Sequence, residues 1–191
     1  WGLNETVRAF CRRLAEAGFV AFAPDLYHGT VTEQIAEAEA LVTALDANFQ
    51  QARAEVRAAV TFLKARAGQA GGVAVIGFSL GAFYALDLSA SDPENIRSVV
   101  LFYGTGPADF DRTQAEYIGH FAANDPFEPQ SNVEELREAL KKAGRTVTFY
   151  VYPGTGHWFF EPDRADAYDA SAAELAWERT LAFLKRRFSE A

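Results

Sequence analysis

Methionine is absent from this sequence of 191 residues, cysteine occurs once and histidine three times. The lone Cys11 excludes an intrachain disulfide and any cluster of thiolate metal ligands. His28, His120 and His157 stand far apart with no H-x-x-x-H spacing, so no zinc-binding helix is encoded and no metal or other cofactor is expected. Basic residues are in deficit, with 18 Lys and Arg against 26 Asp and Glu, which leaves a net charge of −8. That charge opposes a nucleic-acid partner and an anionic membrane surface. The acidic residues are scattered rather than run together, which suits a solvated surface. No apolar run approaches the ~20 residues of a membrane span, and no secretory leader pattern is visible. Together with the single cysteine, these features point to a reducing cytoplasm.

What is present suits a folded core. Apolar residues make up 49% of the chain and charged residues 23%, with 16 Phe and 3 Trp. Such a composition is globular, and the length fits one domain over residues 1–191. Trp1-Gly2-Leu3-Asn4 opens almost directly into helical sequence, so the first strands of the domain are expected to precede it.

Along the chain, short apolar runs alternate with amphipathic ones. Asn4 can cap a helix running through Ala17, with Val7, Phe10, Cys11 and Leu14 on its apolar stripe and Gly18 at its stop. Phe19–Ala23 reads as a short buried strand ended by Pro24. Thr30 and Glu33 form a possible capping box for a helix from about Val31 to Phe49, and another helix spans roughly Ala52 to Ala67, closed by Gly68, Gly71 and Gly72. Strands are expected at Val73–Phe78, Ser98–Tyr103, Tyr117–Phe121 and Thr146–Val151. Ser131 with Glu134, and Ser171 with Glu174, mark two further helix starts. Regular alternation of this kind predicts a doubly wound α/β fold with a mostly parallel sheet and no large cap domain.

The chemistry centres on Gly77-Phe78-Ser79-Leu80-Gly81, set between a strand and a helix. Gly-x-Ser-x-Gly in that context has the form of a nucleophile elbow. A side chain at Gly77 or Gly81 is expected to collide with neighbouring backbone. The turn lifts the Ser79 hydroxyl off the sheet edge and aims the Leu80 N–H at any oxyanion formed there. A serine hydroxyl needs a base, and the base needs an orienting acid. His157 follows the flexible Gly154-Thr155-Gly156 loop at a strand end. Asp125 also lies just after a strand, where Pro126 and Phe127 fix the turn, which favours it over Asp109 and Asp111. His120 falls inside a strand, where it packs or bonds locally. His28 precedes the serine, and Asp25 reads as a structural turn residue.

Taken together, these residues resemble the dienelactone hydrolase family of α/β-hydrolases over nearly the whole chain. Gly18–Tyr27 is similar to its G-Y-x-A-x-x-P-D-L-Y signature, Gly119–Phe127 to its acid loop, Tyr152–Phe160 to its histidine loop and Ala176–Thr180 to its closing helix. The resemblance implies Ser79 as nucleophile, Asp125 as acid, His157 as base and Leu80 as one oxyanion donor. It also implies hydrolysis of a small ester or lactone without a cofactor. Three departures accompany it. Serine stands where the enzymes that name the family carry cysteine. Glu161 occupies the neighbourhood of an arginine that holds the substrate carboxylate. The family's second oxyanion donor precedes the Trp1-Gly2 turn. Trp1, Leu3, Phe127, Trp158 and Phe159 are candidate pocket walls. The expected partner is a small molecule, acting on a monomer or homodimer. Two alternatives are a hydrolase fold used only for binding, and acyl transfer to an acceptor other than water.

Overall fold

The computed structural model describes residues 1–67 and 72–189. Gly68 and Gly71 therefore lie outside the described residues. The chain divides into two compact units, residues 1–69 and 70–191.

The first unit is helical. Helix α1 (Glu5–Glu16) begins where the Asn4 side chain accepts a hydrogen bond from the Val7 N–H, and it buries Phe10 and Leu14. Such a cap satisfies one of the amide donors that a helix start leaves free and contributes about 1 kcal/mol. Gly18 ends it with φ +95°, a conformation that glycine adopts without a Cβ penalty. The Trp1-Gly2 turn packs on the following loop. A Cβ at Gly2 would stand 2.2 Å from the Thr30 carbonyl oxygen, and the Thr32 N–H donates to the Trp1 carbonyl.

Two expectations are corrected in this unit. Phe19–Ala23 belongs to no sheet. No strand is present among the unit's described residues, so its backbone has no ladder there, and Val20 and Phe22 are 54% and 44% exposed. The helix predicted from Val31 begins later, as α2 (Ile35–Ala47), with Gln34 at its cap position. The Thr32 hydroxyl accepts from the Gln34 N–H and donates to Glu37. That local turn holds the chain non-helical through Thr32 and displaces the Thr30–Glu33 box. Helix α3 (Phe49–Ala67) buries Ala52, Val56 and Val60.

The second unit is a parallel sheet of four strands in the order β1 (Val73–Phe78), β2 (Ile96–Phe102), β3 (Glu116–Ala122), β4 (Val147–Tyr152). Apolar runs without polar alternation form strands covered on both faces. Accordingly Val99, Val100, Leu101 and Phe102 are fully buried, each worth roughly 1.5–3 kcal/mol in transfer free energy.

Helices α4 (Leu80–Ser91), α5 (Gln130–Lys142) and α6 (Ala170–Ser189) cover the sheet. Side chains three residues apart on a strand point to opposite faces. On one face, Tyr117 bonds Ser89 of α4 at 2.8 Å, and Phe149 of the same face lies 5.6 Å beneath the Arg137 guanidinium of α5. On the other, His120 reaches Thr180 of α6 at 3.0 Å. The fold is thus of α/β-hydrolase type, and no cap domain interrupts it. Helix α4 is buried nearly all round, including Ala82, Tyr84, Ala85, Leu86 and Leu88.

Two helix starts differ from expectation. Helix α5 begins at Gln130 behind Pro129, so Ser131 lies inside it rather than at its cap. Helix α6 begins one residue before Ser171, and Asp169 takes the capping role by accepting from the Ala172 N–H at 2.8 Å. In both places the chain ahead of the serine already supplies the non-helical turn.

Candidate active site

All four strands run in one direction, so their carboxyl ends share one edge of the sheet. Ligand sites of open parallel sheets form at such edges. The loops after β1, β3 and β4 carry Ser79, Asp125 and His157.

Ser79 occupies φ 50°, ψ −115° at the N-terminus of α4. A non-glycine residue in this region stores about 1–3 kcal/mol of strain, so the surroundings must hold it. The Ser79 N–H donates to the Phe102 carbonyl at 2.9 Å. A Cβ at Gly77 would lie 2.3 Å from the Gly81 oxygen, and one at Gly104 would lie 2.4 Å from the Ser79 oxygen. The expected collision is therefore real at Gly77. At Gly81 it is not, since a Cβ there meets nothing within 4 Å. The strand end needs the first glycine because α4 crosses it closely, while the second faces open space.

His157 Nδ1 lies 2.7 Å from Asp125 Oδ2, and His157 Nε2 lies 3.1 Å from Ser79 Oγ. An ionised carboxylate only accepts, so Nδ1 carries the ring proton and Nε2 is left to accept from the serine hydroxyl. The Asp125 side chain is 1% exposed and that of His157 is 4% exposed. The other carboxylate oxygen of Asp125 accepts from the Phe127 and Glu128 N–H groups at 2.9 and 3.0 Å. These bonds fix the orientation of the carboxylate.

Leu80 is the first residue of α4. At that position its N–H has no acceptor within the helix and stands beside Ser79.

Among the candidate walls, Phe127 and Trp158 have ring centroids 5.0 Å apart, and both lie against the His157 ring, at 5.2 and 5.0 Å. Phe127 is 53% exposed. Phe159 is a correction: it is fully buried and packs on Tyr103 and Tyr152, because the chain turns at Trp158 (φ 66°) and sends the next side chain into the core. Trp1 and Leu3 lie at the start of the first unit and are half-buried.

The rival groups are accounted for. His120 is fully buried between the Tyr152 and Thr180 hydroxyls, and burial, aided by the Arg179 charge, pushes its pKa down to about 3. His28 pairs with the Glu55 carboxylate at 3.0 Å in the first unit. Asp25 accepts from the Tyr27 and Gly29 N–H groups as a turn residue. Asp109 and Asp111 are exposed in the loop after β2.

Several supporting residues escaped sequence reasoning. Glu128 is buried and accepts from both the Thr105 N–H at 2.7 Å and the Thr105 hydroxyl at 3.0 Å, which ties the acid loop to the loop after β2. Tyr103, with φ 36°, lays its ring 4.8 Å from that of His157 and donates its hydroxyl to Glu161 at 2.6 Å. Glu161, in the neighbourhood of the family's arginine, is itself buried. Only the proximity of Glu161 and Glu128 in sequence to His157 and Asp125 hinted at either role.

The model of the dienelactone hydrolase family matches residues 1–188. The chain is 32% identical over 193 residues to Protein usf of Aquifex pyrophilus, covering 97% of this chain and 84% of that protein. It is 31% identical over 198 residues to a protein of Aquifex aeolicus named as an inferred carboxymethylenebutenolidase, with the same coverages of 97% and 84%. Among solved structures, an inferred dienelactone hydrolase from Klebsiella pneumoniae superposes with a TM-score of 0.81 at 27% identity, covering 100% of this chain and 83% of that one.

Proposed function

Since the chain belongs to the dienelactone hydrolase family of carboxylic ester hydrolases, we propose that it cleaves a small ester or lactone through an acyl-enzyme on Ser79. The observation that carries this reading is the continuous relay Asp125–His157–Ser79, with spacings of 2.7 and 3.1 Å.

The reaction follows from that relay. His157 Nε2 takes the Ser79 proton as Oγ attacks the ester carbonyl, and the carbonyl electron pair moves onto oxygen. The Leu80 N–H faces that developing charge as one oxyanion donor, a contribution typically worth about 3 kcal/mol. Asp125 keeps the imidazole in the productive tautomer and stabilises the imidazolium. His157 then returns the proton to the leaving alkoxide. Water attacks the acyl-enzyme by the same route and releases the acid. A serine hydroxyl is almost wholly protonated near neutral pH, so this site depends on His157 more heavily than a thiol site does. Phe127 and Trp158 form an apolar wall beside His157, suited to a small apolar acyl or alkoxy group. We place the protein in the cytoplasm. Among the described residues no helix is long and apolar enough to cross a membrane.

The test is hydrolysis of p-nitrophenyl acetate and covalent labelling by a fluorophosphonate. The wild type turns over and is labelled; Ser79→Ala does neither. A wild type that shows no turnover and takes no label defeats the reading.

A further inference from the structure

A buried carboxylate rarely lies behind a catalytic histidine without consequence. Glu161 is 7% exposed and Tyr103 is fully buried. Their hydrogen bond of 2.6 Å has the length of a charge-assisted O–H···O⁻ contact. The Tyr103 ring that carries this bond also packs on the imidazole, with its centroid 4.8 Å from that of His157. Of the two hydroxylic groups, the phenol keeps the proton: burial and the Glu161 charge push the Tyr103 pKa well up. Burial also raises the Glu161 pKa, opposed by the Tyr103 hydroxyl and by attraction to His157.

His157 faces Asp125 from the loop after β3, Ser79 from the elbow, Tyr103 from the end of β2 and Glu161 from its own loop. Glu161 also feels Asp163, and the Arg164 guanidinium lies 4.5 Å over the Trp158 ring.

We propose that Glu161, held by Tyr103 behind His157, is a positioning residue whose negative charge acts with that of Asp125 to stabilise the imidazolium formed during acyl transfer. The proposal rests on the Ser79–His157–Asp125 reading and adds a second carboxylate to it. Such a charge acts most strongly in the transition state, when the imidazole has become positive, and little on substrate binding.

The Glu161→Gln variant separates charge from packing, because the amide oxygen still accepts from Tyr103 in nearly the same volume. With p-nitrophenyl acetate, kcat and kcat/KM should fall together by about tenfold while KM stays within about twofold. A purely structural role is rescued by glutamine, so a variant with the wild-type kcat overturns the proposal. Tyr103→Phe gives a second reading. It leaves the buried carboxylate without its donor, so Glu161 takes up a proton more readily. The ratio of variant to wild-type rate should therefore be lower at pH 6 than at pH 8.5, by about threefold or more. A ratio that does not change with pH overturns the proposal as well. A wild type that fails to hydrolyse the ester overturns the triad reading beneath it; a wild type that hydrolyses, with an unimpaired Glu161→Gln, overturns only the role of Glu161.

Discussion

Replacing Asp125 by asparagine alters one atom and reverses a proton. In the native loop both oxygens of Asp125 are committed, one to His157 Nδ1 at 2.7 Å and the other to the Phe127 and Glu128 N–H groups. In the variant the amide oxygen goes to the two backbone donors, since an NH2 group there would oppose them. The NH2 group then faces His157 and donates to Nδ1. That moves the ring proton to Nε2, where it points at Ser79 and can no longer accept the hydroxyl proton. The structure persists while its proton pattern is inverted. The same exchange in a serine protease lowers kcat by about 10⁴, or about 5 kcal/mol of barrier at 1.36 kcal/mol per decade. With an acid side chain that is only 1% exposed, a loss of 10³–10⁴ is expected here. Initial rates of p-nitrophenyl acetate hydrolysis measure it, and thermal melting checks that the fold survives. Asp109→Asn and Asp111→Asn, both exposed, serve as controls with nearly native rates. If Asp125→Asn retains more than about a tenth of the native rate, the assignment of the acid is wrong.

Three further perturbations test the surroundings of the site and the core behind it. Gly104→Ala forces a Cβ to 2.4 Å from the Ser79 oxygen and 2.8 Å from Ala82 Cβ, so urea unfolding should show a loss of about 1–3 kcal/mol together with reduced esterase activity. Gly81→Ala meets open space within α4 and should leave stability equal or raise it by up to about 1 kcal/mol; a larger loss would show that the glycine is needed for its conformation. His120 is buried neutral with its pKa at about 3, below the ~6.5 of an unfolded histidine. Its folded pKa is depressed, so its contribution is complete above pH 6.5 and falls away as the unfolded state gains protons toward pH 3. Between pH 7 and pH 5 it should cost about 2 kcal/mol of stability. His120→Gln should remove that part of the slope in urea titrations, and an unchanged slope would refute the assignment.

Local chemistry made some of this protein legible in its sequence, and its limits show in particular residues. The apolar run at Ser98–Tyr103 encodes a buried strand because a strand covered on both faces has no place for polar alternation. Asn4 reads as a cap because its short side chain reaches the Val7 N–H wherever the helix goes. The Gly-x-Ser-x-Gly elbow is legible for the same reason: its strain is confined to one turn. Phe19–Ala23 has an equally apolar composition, yet composition cannot report whether a neighbouring strand stands beside it, and among the described residues of its unit there is no strand. The spacing of Ser131 and Ser171 suggests caps, but Pro129 and Asp169 ahead of them start those helices.

Residue type and order thus determined which groups are able to act: a serine on an elbow, an acid and a histidine each following a strand. Only the tertiary structure decided which of them meet. Four parallel strands bring Ser79, Asp125 and His157 to one edge from 78 residues apart in sequence, and the same packing removes His120 from contention by burying it. It also turned Phe159 inward and Phe127 outward, and it set Glu161 behind His157 through Tyr103, 58 residues away. Contacts over such separations depend on register and on helix packing, which no local pattern of residues encodes.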